Sequence, residues 1–231
     1  MKFYEMKKPI LILLALLASG TFLRAQISWG PEAGLNGSNY ISKLGGNTIS
    51  TTAKLGVRVG GVVDMGLGNN LAFEPGLFYL MNGYKLSYAG ATETANINTL
   101  EIPLNILFKI GEPGRGRFWF GLGPYLAFNL SGNVKVPGFN GGSSISESLK
   151  FGSTAGTDEM KSSDFGVGFN VGYQLADGLF LRAGYQKGVK NLVPGGNGNN
   201  SQTSSNFSVT VGYLFGSWKV RTVDYSKRYF K

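Results

Sequence analysis

The sequence predicts an all-β fold: an eight-stranded antiparallel up-and-down transmembrane β-barrel. Three observations predict it. The chain opens on a cleavable export signal, strictly alternating polar and apolar stretches fill the remainder, and the connections between those stretches alternate between long and short. Composition already narrows the possibilities. Glycine supplies 36 of 231 residues and charged residues only 15%, against about 25% charge in ordinary soluble domains. Cysteine and histidine are both absent. Disulfides, thiolate metal sites and thiol nucleophiles are therefore excluded, as are the usual neutral-pH general base and the commonest metal ligand. The expectation is a protein that is not an enzyme and holds neither cofactor nor metal.

Residues 1–25 read as a secretory signal peptide. Lys2, Lys7 and Lys8 form a basic start, Ile10 to Ala18 is unbroken and apolar, and Leu23-Arg24-Ala25 precedes a cut before Gln26. The apolar run is much shorter than the ~20 residues of a spanning helix. The division is then 1–25 signal, 26–215 barrel and 216–231 a basic tail.

Eight segments alternate with period 2, the mark of a strand with two unlike faces. Residues 28–36 set Trp29, Ala33 and Leu35 against Gly30, Glu32, Gly34 and Asn36. Residues 55–65 set Leu55, Val57, Val59, Val63 and Met65 against Gly56, Arg58, Gly60 and Asp64. Residues 71–84 oppose Leu71, Phe73, Leu77, Tyr79 and Met81 to Glu74, Gly76 and Asn82. In 100–110 the face from Leu100 to Ile110 opposes Glu101, Pro103, Asn105 and Lys109. Residues 118–130 place Phe118, Phe120, Leu122, Leu126, Phe128 and Leu130 opposite Trp119, Gly121, Gly123, Tyr125 and Asn129. Residues 165–175 are the cleanest: Phe165, Val167, Phe169, Val171 and Tyr173 against Gly166, Gly168, Asn170 and Gly172. Residues 179–187 and 206–215 finish the set, the last ending on Phe215.

Connections 66–70, 111–117 and 176–178 are short and turn-like, whereas 37–54, 85–99, 131–164 and 188–205 are long and rich in Gly, Ser, Thr and Asn. In an even-stranded meander this places all long loops at one end. Only a closed barrel leaves no strand edge unpaired in lipid. Pro31, Pro75, Pro103 and Pro124 each remove a ladder donor, so local bulges or bends are expected there. Trp29, Phe118, Trp119, Phe207, Tyr84, Phe165 and Phe215 sit near strand ends, where aromatic rings favour the bilayer interfaces.

An eight-stranded lumen is just wide enough for side chains. Glu32, Arg58, Glu74, Glu101, Lys109, Asp164 and Arg182 are expected to point into it and form an internal ion-pair network that plugs it. A selective pore is the other reading. Gly121-Leu122-Gly123 and Gly166-Val167-Gly168 lie inside alternating strands with no helix after them, so they are not dinucleotide-binding turns. Asp158-Glu159 with Asp164 offer too few oxygens for calcium.

Several short motifs resemble the Bacteroidota porin-family, or PorT-family, outer membrane β-barrel proteins. They are Leu23-Arg24-Ala25-Gln26, Gly34-Leu35-Asn36, Glu74-Pro75-Gly76-Leu77-Phe78-Tyr79, Leu100-Glu101-Ile102-Pro103-Leu104, Gly123-Pro124-Tyr125 and Gly212-Tyr213-Leu214-Phe215. The resemblance covers about residues 26–215 and implies an OmpX/OmpA-like barrel in a Gram-negative outer membrane, with periplasmic termini and no catalytic residues. Residues 216–231 depart from it by continuing past the final aromatic. With Lys219, Arg221, Lys227, Arg228 and Lys231 against Asp224, this tail reads first as a disordered segment or an extra amphipathic strand, and second as a contact for anionic headgroups, a periplasmic protein or cell-wall polymer.

The expected function is a structural or surface-interaction barrel, monomeric, touching outer-membrane lipid and lipopolysaccharide, and not nucleic acid. The alternatives are a small passive pore and a secreted soluble lipocalin-like binder.

Overall fold

A computed structural model describes residues 27–88, 91–112, 115–137 and 143–216. The signal segment, Gln26 and residues 217–231 of the tail lie outside the described residues. Ten strands follow one another: β1 (Ile27–Leu44), β2 (Asn47–Ser50), β3 (Thr52–Gly66), β4 (Leu71–Tyr88), β5 (Ala91–Ile110), β6 (Arg117–Val136), β7 (Ile145–Ser148), β8 (Ser163–Gln174), β9 (Leu179–Gly188) and β10 (Ser201–Tyr213). Eight of them form the ring. Each pairs antiparallel with its neighbour, and β10 pairs with β1 to close it. The two four-residue strands, β2 and β7, only lengthen hairpins at the long-loop end. Trp29 and Phe215 exchange backbone hydrogen bonds of 3.1 and 2.7 Å just past the end of β10.

The faces are those of a barrel in lipid. Phe165, Val167 and Phe169 are about half exposed, whereas Asn170 between them and Val171 is buried. Glu32, Glu74 and Glu101 are at most 2% exposed. A soluble binder needs the opposite arrangement, so the lipocalin-like reading has no support in this surface. The apolar band has sharp limits. On β5 the outward positions from Leu100 to Ile110 are apolar and the next, Asn98, is not. On β6 the band runs from Phe118 to Leu130 and gives way to Ser131 and Asn133. Ten residue steps at ~3.3 Å, tilted about 40°, make a band roughly 25 Å high, matching the apolar girdle of outer-membrane barrels.

The strands run farther than the alternation predicts. Segment 85–99 is an extension of the β4–β5 hairpin and not a long loop, and much of 37–54 belongs to β1, β2 and β3. Above the band the outward positions turn polar, as at Asn96 and Asn98, while the inward Ala95 and Ile97 are apolar and buried, so the pattern that marks a strand in lipid ends. Polar cross-strand pairs replace it: Asn96 donates to Asn133 at 3.1 Å, Asn133 to Ser146 at 2.9 Å, and Asn98 to Ser131 at 3.0 Å.

The prolines do not produce bulges. Register shifts occur between Ala53 and Arg58 on β3 and at Asn98/Thr99 on β5, and register is continuous past Pro31, Pro75, Pro103 and Pro124. A proline whose missing N–H falls between ladder bonds needs no extra residue. Trp29, Phe118, Tyr173, Tyr213 and Phe215 gather at the short-turn rim, with ring centroids 4.5 to 5.1 Å apart in three pairs. Trp119 is not among them, because it points inward and is 4% exposed. Tyr84 lies above the band, against Tyr40.

Candidate functional site

The lumen is where the chemistry-bearing side chains meet. Glycines make room for them. Trp119 lies directly across from Gly172, Phe180 from Gly212, Phe78 from Gly60 and Tyr125 from Gly166. In each pair the ring occupies the space that a Cβ on the glycine would need. At these levels the interior is thus filled by alternating large and absent side chains.

From the short-turn end, Val62, Ala72, Leu107, Trp119, Phe180 and Leu214 form an apolar layer. Beside it Lys109 pairs with Asp64. One level up, Arg182 donates from Nη2 to Glu74 Oε2 at 2.8 Å, and its Nη1 lies 2.8 Å from the other carboxylate oxygen as an ion-pair contact. A charge-assisted bond of this kind is stronger than a neutral one. Arg182 also approaches Glu32 at 3.5 Å, and Thr210 donates to Glu32 at 2.6 Å. Its guanidinium lies 5.6 and 5.5 Å from the rings of Trp119 and Phe180. The next level pairs Arg58 with Glu101 at 2.7 Å, with Arg58 3.7 Å above the Phe78 ring and Gln186 donating to Glu101 at 2.8 Å.

The seven charges named from the sequence are therefore all buried, but they form separate clusters. Asp164 joins none of them: among the described residues it makes no ion pair, and accepts instead from Ser204 at 2.5 Å and Tyr125 at 3.3 Å. Asp64 was missing from the set, although it shares the Arg58 face of β3 and so was readable from the same alternation.

Above the charges runs a belt of amides. Asn36 donates to Asn82 at 2.8 Å, Asn82 to Thr99 at 3.2 Å, Thr99 to Asn129 at 3.1 Å, and Asn129 to the Lys161 carbonyl at 3.1 Å. The alternation already places Asn36, Asn82 and Asn129 on the inward face, where all three are buried; what it does not carry is their pairing around the ring.

An apolar cap closes the long-loop end. Tyr40, Ile97, Met160 and Leu192 pack together, with Tyr84, Leu149 and Phe151 against them. The loops carrying Met160 and Leu192 are pinned by hydrogen bonds from Lys161 N to Leu192 O and from Leu192 N to Gln202 O, both 2.8 Å. Burial, reinforced by Asp164, holds the Tyr40 hydroxyl far above the ordinary tyrosine range, and burial with Glu93 raises that of Tyr84. The cap is thus neutral at physiological pH. Asp158 and Glu159 do not form a cation site with Asp164. They accept the backbone N–H groups of Thr154 at 2.8 Å and Lys150 at 2.6 Å. No group of three or more metal-capable side chains occurs among the described residues.

Residues 20–193 match the model of a family described as an outer membrane protein beta-barrel domain. Among solved structures, the chain is similar to the outer membrane protein OprG from Pseudomonas aeruginosa. Identity is 12%, 83% of this chain and 97% of that one are covered, and the TM-score is 0.50. It is also similar to Neisserial surface protein A, at 15% identity over 81% of this chain and 97% of that one, with a TM-score of 0.43. The attachment invasion locus protein Ail of Yersinia pestis, solved with the heparin analogue sucrose octasulfate, is 13% identical over 82% of this chain and 99% of that one, with a TM-score of 0.41. The likeness to OprG concerns fold alone. No curated protein matches the chain.

Proposed function

The chain belongs to the outer membrane protein β-barrel family, and from that membership we propose that it is a structural and surface-interaction barrel with a sealed lumen. Its place is the outer membrane of a Gram-negative bacterium. The observation that carries the proposal is the filling of the interior from end to end by the aromatic layer, the ion pairs, the amide belt and the cap. The small void beside Asp64, Lys109 and Trp119 measures only about 10 Å³, the space of a single water. A passive pore needs a continuous water path, and these layers interrupt it.

The proposal also orients the chain. The short turns and both termini face the periplasm, and the extended hairpins stand outside as the binding surface. Among the described residues, that end carries Lys43, Lys54, Lys85, Lys135, Lys150, Lys161, Lys187 and Lys190 against Glu93, Glu147, Asp158 and Glu159. Surplus positive charge at the bilayer rim suits the phosphates of lipopolysaccharide. The motifs quoted from the sequence further favour the Bacteroidota PorT-type branch, and the basic tail is proposed to meet anionic groups on the periplasmic side.

The test is current through a planar bilayer holding the purified full chain. The expected result is a current indistinguishable from the bare bilayer. Reproducible conductance steps, removed when the protein is omitted, would establish the pore instead.

A further inference from the structure

Most glycines of this barrel answer to a neighbour. Gly172 and Gly212 face rings, and a Cβ on Gly34 or Gly123 would collide with the backbone of the next strand. Gly61 differs. It lies on the outward face of β3, and a Cβ there would meet little beyond the Gly30 carbonyl oxygen, at 3.1 Å. Its φ is not in the left-handed region, since it is absent from the glycines with positive φ. Backbone conformation does not require glycine there, and a side chain needs only a shift of a few tenths of an ångström from the Gly30 carbonyl.

Gly61 lies in the floor of a groove of about 760 Å³ in the lipid-facing wall. There it sits between Pro31 on β1 and Leu77 on β4, its partners in register. Toward the short turns it is bounded by Val63 and Pro75, and Trp29 and Phe215 stand at that end with ring centroids 5.1 Å apart. The lining is apolar throughout. Gly61 is five residues from the end of β3, which puts it roughly 12 Å into the band for a strand tilted about 40°. The groove therefore leads from the interfacial aromatic pair toward the middle of the bilayer, and its size is that of an ordinary small-molecule site.

We propose that this groove seats one acyl chain of a phospholipid from the leaflet on the short-turn side, held in place rather than exchanging with the fluid shell. The proposal rests on the membrane placement above, not on the sealed lumen. Three points select this occupant. The groove is inside the apolar band, so whatever fills it arrives through the bilayer. Its walls offer no polar partner. Its mouth lies beside Trp29 and Phe215, at the level where a headgroup begins.

The experiment is native mass spectrometry of the full chain released from nanodiscs of phosphatidylethanolamine and phosphatidylglycerol. Wild type should retain a single phospholipid. Gly61→Phe, which puts a ring across the floor of the groove, should lower that occupancy at least about tenfold, and Gly61→Leu should lower it in the same direction. Val209→Phe, on the outward face of β10, should retain the lipid. Heat-dependent gel migration verifies folding of each variant. A wild type that keeps no lipid, or a folded Gly61→Phe or Gly61→Leu that keeps as much as wild type, overturns the proposal. So does a wild-type dimer that Gly61→Phe dissociates, which gives the groove to a second copy. Lipid uptake only after residues 217–231 are deleted also overturns it, because the tail would then be the occupant. Failure of the chain to enter nanodiscs would count against the membrane placement itself.

Discussion

Arg182→Met should destabilise the barrel by about 3–5 kcal/mol or prevent its folding, because it leaves Glu32 and Glu74 buried without their cation. Neither carboxylate has another base within ion-pair distance among the described residues, and both are at most 2% exposed. The measurement is the urea midpoint for refolding into lipid vesicles. Adding Glu32→Gln and Glu74→Gln to Arg182→Met should recover most of the loss, since neutral groups in the same places need no counter-charge. A merely bulky requirement at position 182 would not be rescued this way. Lys109→Met should cost less, because its pair with Asp64 lies nearer the mouth and keeps some contact with water (10% and 7% side-chain exposure).

The second large effect concerns the outer surface. Phe169→Lys should cost roughly 2–4 kcal/mol in the same assay, because it places a charge near the middle of the apolar band. Phe169 is 49% exposed and lies between Leu122 and Tyr185 on the adjacent strands. Its neighbour Asn170 faces inward, accepting from Trp119 Nε1 at 3.3 Å. Lysine at 170 is a poor comparison, since the Asn170 amide already takes up the space that a side chain on Gly121 would need, and a longer chain has nowhere to go. Asn170→Ser avoids that crowding and should cost about 1 kcal/mol, the scale of one lost hydrogen bond. Equal tolerance of Phe169→Lys and Asn170→Ser would contradict the assignment of the faces.

The barrel was legible because lipid enforces period 2. Wherever hydrocarbon lies on one side and the lumen on the other, as from Phe165 to Tyr173, residue type follows the face. The same rule brought Glu32, Arg58, Glu74, Glu101, Lys109, Asp164 and Arg182 to attention. It carries no information about who pairs with whom across a ring. Arg182 meets Glu74 from β4 and Glu32 from β1, and those contacts depend on the register and stagger of closure. Asp64 was passed over although its face was correctly assigned. The strand extensions beyond Met81 and Leu130 are hidden for another reason: above the band water replaces lipid outside and the apolar cap replaces charge inside, so the polar-in, apolar-out alternation ends. Trp119 shows two sequence signals in conflict. Nearness to a strand end points to the interface, whereas the parity of β6 points inward, and parity wins: the ring is 4% exposed and lies over Gly172.

The central claim is that charge and hydrogen-bonding groups fill a dry interior while the apolar face meets lipid. Because the chain contains no cysteine, single thiols can test it in vesicles. Thr210→Cys lies beside Glu32 in the lumen, Val209→Cys and Val211→Cys face outward, and Asn199→Cys lies in the loop before β10. Reaction rates with a membrane-impermeant charged maleimide and with a lipid-soluble one should separate them. The account predicts that Asn199→Cys reacts with both, that Val209→Cys and Val211→Cys react only with the lipid-soluble reagent, and that Thr210→Cys is protected from both. Rapid labelling of Thr210→Cys by the charged reagent would reveal an open aqueous lumen, and labelling of Val209→Cys by that reagent would remove the outer face from the bilayer; either result contradicts the account.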